Sequence, residues 1–157
     1  MEEYLVEKYG NRVRVRVCGV LIERNRILLV KHVGLGNGAV FWAPPGGEVE
    51  YGISVKENLQ REMLEETGLK VKVGKFLNVH EFINPPLHAV ELYFKIDEAQ
   101  GEVIKGIDPE LKTSEQIIEE VRFVTFEELE IIPNKQKHQV LQNICRIEEL
   151  FDLPPFF

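Results

Sequence analysis

The segment from Ser54 to Gly68, "SVKENLQREMLEETG", constrains the fold most, because it specifies a helix with both of its ends written in. Ser54 and Glu57, three residues apart, form a capping box in which each side chain satisfies the other's backbone N–H at the helix start. Gly68 marks the stop, since glycine enters the left-handed conformation that closes a helix without a Cβ clash. Between them Val55, Leu59 and Met63 recur every four residues. Such a narrow apolar stripe has to be buried against other elements, and the helix is expected to run to about Thr67.

The same helix carries an electrostatic conflict. Glu62, Glu65 and Glu66 fall on an arc of about 100° that borders the apolar stripe. Like charges at these spacings repel by roughly 0.2–0.5 kcal/mol per pair. Anions at the C-terminal end of a helix are disfavoured by a further 0.3–1 kcal/mol or so each. Carboxylates crowded in a partly desolvated place suppress one another's charge unless a cation sits among them. Oxygen ligands of this kind suit Mg²⁺ or Mn²⁺. A solvated charged face is the alternative for "EMLEE" taken alone. The preceding "PPGGEVEYG" favours the cation, because its glycines let backbone groups approach a ligand closely.

Strands are read around this unit. "RVRVRV", Arg12 to Val17, alternates with period two and is expected to bury Val13, Val15 and Val17. "ERN" turns the chain into a hairpin partner, Ile27 to His32. Two further strands, "VKVGKFLNVHEF" and "HAVELYFKI", flank the turn "INPPL". Residues from about Asp97 to Ser114 read as a long loop, and loops of that length are often functional. "VRFVTF" is a last strand, followed by a short helix capped by Thr125 and Glu128. A final helix is expected from Asn134, with Val140, Leu141, Ile144, Ile147 and Leu150 at helical spacing. This order predicts an α+β fold, helices covering a mixed sheet.

From Gly47 to Leu69 the chain resembles the Nudix hydrolase signature: a glycine, five residues, a glutamate, seven residues, then Arg-Glu-apolar-x-Glu-Glu-x-Gly-apolar. Gly47, Arg61, Glu62, Met63, Glu65, Glu66, Gly68 and Leu69 match in register. "FWAPPGG" and "VRFVTFEEL" are similar to the family's approach to the box and to its late strand and helix. The resemblance implies a mixed β-sheet sandwiched between helices, α/β/α, as one domain over residues 1–157. The departure is Ile53, where the pattern has its first glutamate. In the family that glutamate resembles a buttress for the box arginine, so Arg61 is left to Glu57 or Glu65, four residues away on either side.

What the resemblance implies chemically is cleavage of the diphosphate in a nucleoside diphosphate linked to another group, ADP-ribose-like or a nucleoside triphosphate. Mg²⁺, or Mn²⁺, would be held by Glu62, Glu65, Glu66 and the Gly46 carbonyl. Glu62, Glu66 and Arg61 would act with a base that is a cluster glutamate or a loop residue: Glu115, with Glu110 and Glu120 as rivals. Phe41 and Trp42 are candidates for stacking on a base, and Lys31, with His32, for meeting phosphate. Pro85 lies sixteen residues beyond Leu69, which resembles a mark of ADP-ribose pyrophosphatases. The second reading, from Ile53, is a nucleotide-binding sensor module with little turnover.

Charge bounds the partners. A net charge of −7 argues against nucleic acid, leaving a small-molecule nucleotide as partner, and a homodimer is left open. No apolar run approaches membrane-spanning length and the start "MEEYLVEKYG" is acidic, so no membrane is expected and the location is cytoplasmic. Cys18 and Cys145 lack metal-ligand spacing and read as buried free thiols; His80 and His88 are given no role.

Overall fold

A computed structural model describes residues 3–34, 39–107 and 116–157. In chain order the elements are α1 (Glu3–Tyr9), β1 (Val13–Val20), β2 (Ile22–Glu23), β3 (Arg26–His32), β4 (Phe41–Ala43), β5 (Gly46–Glu48), α2 (Val55–Thr67), β6 (Lys70–Asn84), β7 (Leu87–Gln100), β8 (Ile118–Thr125) and α3 (Phe126–Ile131). One sheet runs β5-β1-β7-β6. Its β1–β7 pair is parallel, from Val13 opposite His88 to Val20 opposite Lys95, and its other pairs are antiparallel. In the second sheet β2 and β4 share one edge of β3 while β8 runs along the other.

The apolar stripe of α2 does what its spacing requires. Leu59 and Met63 are fully buried against Val17, Leu28, Phe94 and Ile96, each worth about 1.5–3 kcal/mol of burial. A second core joins Cys18, Val20, Ile27, Leu29 and Tyr93 to Leu129 of α3 and to the C-terminal residues Val140, Leu141, Ile147 and Leu150. The sheets thus lie between α2 and a layer made by α3 and the chain's end. Both expected capping boxes form, at Ser54/Glu57 and Thr125/Glu128.

Several expectations are corrected. The helix expected from Asn134 is instead a series of 3₁₀ turns at Asn134–Gln136, Gln139–Leu141 and Ile147–Phe151. His138 is extended there and donates its N–H to the Trp42 carbonyl at 2.8 Å, so docking on β4 replaces helical continuation. The apolar residues are buried all the same. Cys145 is exposed, because Ile144 takes the inward position beside it; Cys18 is buried as expected. Strand β7 continues to Gln100, shortening the loop. The α1 helix was not among the elements read from sequence.

The largest correction concerns β1. Val13 and Val15 are 58% and 46% exposed and Arg14 only 9%; Val17 alone of the three valines is buried. Among the core residues, α2 reaches β1 at Val17, and the opposite face of the strand forms the floor of a polar cavity that accepts the arginines.

Candidate active site

Strand β5 and helix α2 bring the acidic residues to one wall. Gly68, with φ of 76°, ends α2 as predicted. The carbonyls left over at that end are then satisfied from outside: the N–H groups of Ile104, Gly106 and Ile107 donate to Thr67, Glu66 and Glu65 at 3.0, 2.9 and 3.2 Å. This lowers the electrostatic cost of carrying anions there. Glu66, 9% exposed, accepts the Gly46 N–H on Oε2 at 2.9 Å. Glu62 stands against Gly47 so closely that a Cβ on that residue would overlap its carboxylate. A side chain at residue 47 would displace that carboxylate.

Arg61 gathers the acids. Its Nη2 lies 2.9 Å from Glu50 and 2.8 Å from Glu62, and its Nη1 2.8 Å from Glu65. Burial works against the guanidinium, but Glu62, Glu65 and Glu50 hold its pKa above the ordinary value. Glu57, the other partner expected for it, is occupied with Ser54. The loop is fixed by Asn58, which is fully buried. Its Nδ2 donates to the Glu48 carbonyl and its Oδ1 accepts the Glu50 N–H, both at 3.0 Å, while Arg61 Nη2 reaches the same Oδ1 at 3.3 Å. Arg61 thus keeps Glu65 of its two expected partners and gains two that were not expected, Glu50 and Asn58.

A cavity of about 860 Å³ opens from this wall across the sheet. Its floor includes Arg14 and Arg16 of β1 and Glu91 of β7, and Phe41, Phe82 and His138 line its far end. Arg16 donates through Nη2 to the Gly46 carbonyl at 3.1 Å and through Nη1 to Glu91 at 3.0 Å. Burial opposes its charge, yet Cys18 and Glu91 beside it push its pKa up. Burial likewise opposes ionisation of Glu91, but His138, His80 and Arg16 hold its carboxyl well below the usual carboxylate range.

His80, Glu91 and His138 are all buried and offer ligand atoms within 4.8 Å of one another. The Val140 N–H donates to His138 Nδ1 at 3.1 Å, so the proton of the neutral ring sits on Nε2, 2.7 Å from Glu91. The three side chains form a buried polar cluster around Glu91, with Tyr93 OH donating to the same carboxylate at 3.3 Å.

Of the residues singled out from sequence, Gly46, Arg61, Glu62, Glu65, Glu66, Phe41 and His32 meet around this cavity. Trp42 does not: it is 5% exposed beneath Lys31 and Arg122, whose cations lie 5.9 and 5.2 Å from its ring. Lys31 pairs with Glu119, and Glu120 with Arg122. Pro85 lines a separate shallow depression with Asn11 and Arg12. Glu110 and Glu115 lie outside the described residues. Glu50, Asn58, Arg14, Arg16 and Glu91 were missed, although a carboxylate in the inward register of "HAVELYF" is itself a signal.

The model of the NUDIX domain matches residues 10–144. An ADP-ribose pyrophosphatase of Methanocaldococcus jannaschii is 38% identical over 96 residues, covering 60% of this chain and 56% of that one. A CTP pyrophosphohydrolase of Escherichia coli is 34% identical over 68 residues, covering 43% and 50%. The chain spans about half the length of the curated relatives it matches. The MutT protein of Methanosarcina mazei has the same fold, with a TM-score of 0.64 at 20% identity over 90% of this chain and 92% of that one. With the family model matching most of its length and the box acids gathered on one cavity wall, the chain belongs to the NUDIX family.

Proposed function

We propose that this protein is a divalent-metal-dependent pyrophosphohydrolase that cleaves the anhydride in a nucleoside diphosphate linked to another group. The observation that carries this reading is the convergence of Glu62, Glu65, Glu66 and the Gly46 backbone on one wall of a cavity large enough for a nucleotide. The oxygen-only donor set and the close fit of Glu62 over Gly47 suit Mg²⁺ or Mn²⁺. When bound, such an ion neutralises phosphate charge and acidifies a water.

The chain's own residues do the rest. Arg61 orients Glu62 and Glu65, Glu66 ties Gly46 to the helix, and Arg16 beside the Gly46 carbonyl meets oxygens of the diphosphate. Water attacks phosphorus, the bridging P–O bond breaks, and the water's proton passes to a cluster carboxylate, with Glu115 as the alternative base. Phe41 and Phe82, ring centroids 6.4 Å apart, offer the apolar end to a base. The relatives named as pyrophosphatases of ADP-ribose and CTP agree with this substrate class.

The reading includes one domain over residues 1–157, a small-molecule nucleotide partner and a cytoplasmic location. Among the described residues no helix is long and apolar enough to cross a membrane. A sensor with little turnover loses its motive, since Glu50 and Asn58 occupy Arg61 in place of the missing glutamate. The test is hydrolysis of ADP-ribose, dinucleoside polyphosphates and nucleoside triphosphates with Mg²⁺, against a Glu66→Gln control. Turnover lost in the control is expected. Binding without turnover across the whole panel would establish the sensor instead.

A further inference from the structure

The arginine face of β1 has more positive charge than the protein around it neutralises. Arg14 is 9% exposed, and its Nε is buried without a hydrogen-bond partner. Glu48 stands 3.9 Å from it but is already held by Arg12 through two contacts, at 2.6 and 2.9 Å. The ring of Tyr9, delivered by α1, lies 5.0 Å from the Arg14 guanidinium and gives it a flat support. Burial, and then the charge of Arg16 two residues on, lower the Arg14 pKa. Exposing Val13 and Val15 in order to bury this guanidinium is unfavourable on packing grounds alone. An anion in the cavity removes the imbalance.

Register says where that anion belongs. Arg14 is level with Ala89 of β7, and Ala89 with Phe82 of β6. The arginine and the phenylalanine therefore sit on strands either side of a small residue, about 10 Å apart at the backbone. Phe41 packs beside Phe82, and both line the same cavity as Arg14. A nucleoside monophosphate laid across the strands would put its base toward the phenylalanines and its phosphate on Arg14.

We propose that Arg14 anchors a phosphate subsite that needs no metal and takes the phosphate of a nucleoside monophosphate unit. The proposal rests on the hydrolase reading for its substrate class: the monophosphate would be part of the substrate and would remain as product. It is distinct from the carboxylate wall, which takes its charge from a cation; here the protein itself is the cation. A phosphate monoester carries between one and two negative charges at neutral pH and accepts several hydrogen bonds, which suits a guanidinium with a donor to spare.

The experiment is calorimetric titration in EDTA with two matched pairs, AMP with adenosine and CMP with cytidine, so that base preference cancels within each pair. In the natural protein the monophosphate is expected to bind at least about ten-fold more tightly than its nucleoside. Arg14→Ala should abolish that preference while leaving nucleoside binding unchanged, and Arg14→Lys should keep part of it. Equal binding within both pairs, no binding of either monophosphate, or a preference that survives Arg14→Ala in a protein with unchanged circular dichroism would overturn the subsite. Absence of turnover with Mg²⁺ alongside an intact, Arg14-dependent preference would remove the hydrolase reading and support the subsite.

Discussion

Asn58 holds the Glu50 backbone N–H on its side-chain oxygen at 3.0 Å, and through that bond it fixes the loop that carries Glu50 to Arg61. A neutral amide five residues beyond Ile53 thus holds in place the loop that presents a carboxylate to Arg61. It does so from a fully buried position, where every donor and acceptor has to be matched.

Replacing Asn58 by Ala should therefore be costly while replacing Ile53 by Glu should not be a gain. Asn58→Ala leaves the Glu48 carbonyl and the Glu50 N–H without their partner, a loss of about 1–3 kcal/mol. At about 2–4 °C per kcal/mol this is visible in a thermal melt. Turnover should fall by about ten-fold or more as the loop drifts from the acids. Ile53→Glu is expected to change kcat/KM by less than about three-fold, because Arg61 already has Glu50, Glu62 and Glu65 as partners and one more ion pair at a half-buried position adds about 1 kcal/mol or less. A large gain in rate from Ile53→Glu would show that the Asn58–Glu50 arrangement is not a substitute.

Gly47→Ala tests the acidic wall separately from stability. The added Cβ would overlap the Glu62 carboxylate, so Glu62 has to leave its place. Mn²⁺ binding followed by electron paramagnetic resonance should weaken sharply, and activity should fall by about 100-fold. Gly52→Ala is the matched control: Gly52 has φ of 84° and open space around it, so alanine there is strained without touching an acid. Mn²⁺ binding that Gly47→Ala leaves intact would show that Glu62 does not hold a metal.

The helix, its two ends and the acids were legible in the sequence because each is a local matter, settled by residues within one turn of each other. The strand β1 was not, because alternation fixes which residues share a face and says nothing about which face meets the core. Here Arg16 turned inward, bonded to Glu91 and the Gly46 carbonyl on neighbouring strands, and Arg14 shares its face. The C-terminal segment failed for the same reason: its apolar spacing was right, but a bond from His138 to Trp42 decided the backbone. Asn58 was hidden as a polar residue in a helix pattern that gave no hint of burial.

The two thiols should differ in reactivity. Burial, then the charge of Glu91, push Cys18 up to about 12, whereas Cys145 is exposed. A disulfide reagent such as DTNB should therefore react at once with one thiol per chain in the folded protein and with two after denaturation. Cys145→Ser should remove the fast phase entirely. Two fast thiols in the native state would mean that the core around Cys18 opens readily.

The fold should also lose stability in mild acid, before any carboxylate titrates. His32 is half-buried with Nδ1 3.4 Å from the Phe41 carbonyl, and burial, with the nearby charge of Arg16, lowers its pKa to about 4. In the unfolded chain the same ring takes a proton near 6.5, as histidine ordinarily does. Between these values the unfolded state binds more protons, so stability is full above about 6.5 and declines as pH falls toward 4. Glu91, held below the usual range, adds a further loss only below about 4.3. Urea midpoints at pH 7, 5.5 and 4.5 should fall in that order, and His32→Phe should flatten the upper part of the slope. A His32 ring that titrates near 6.5 by NMR would sink this account.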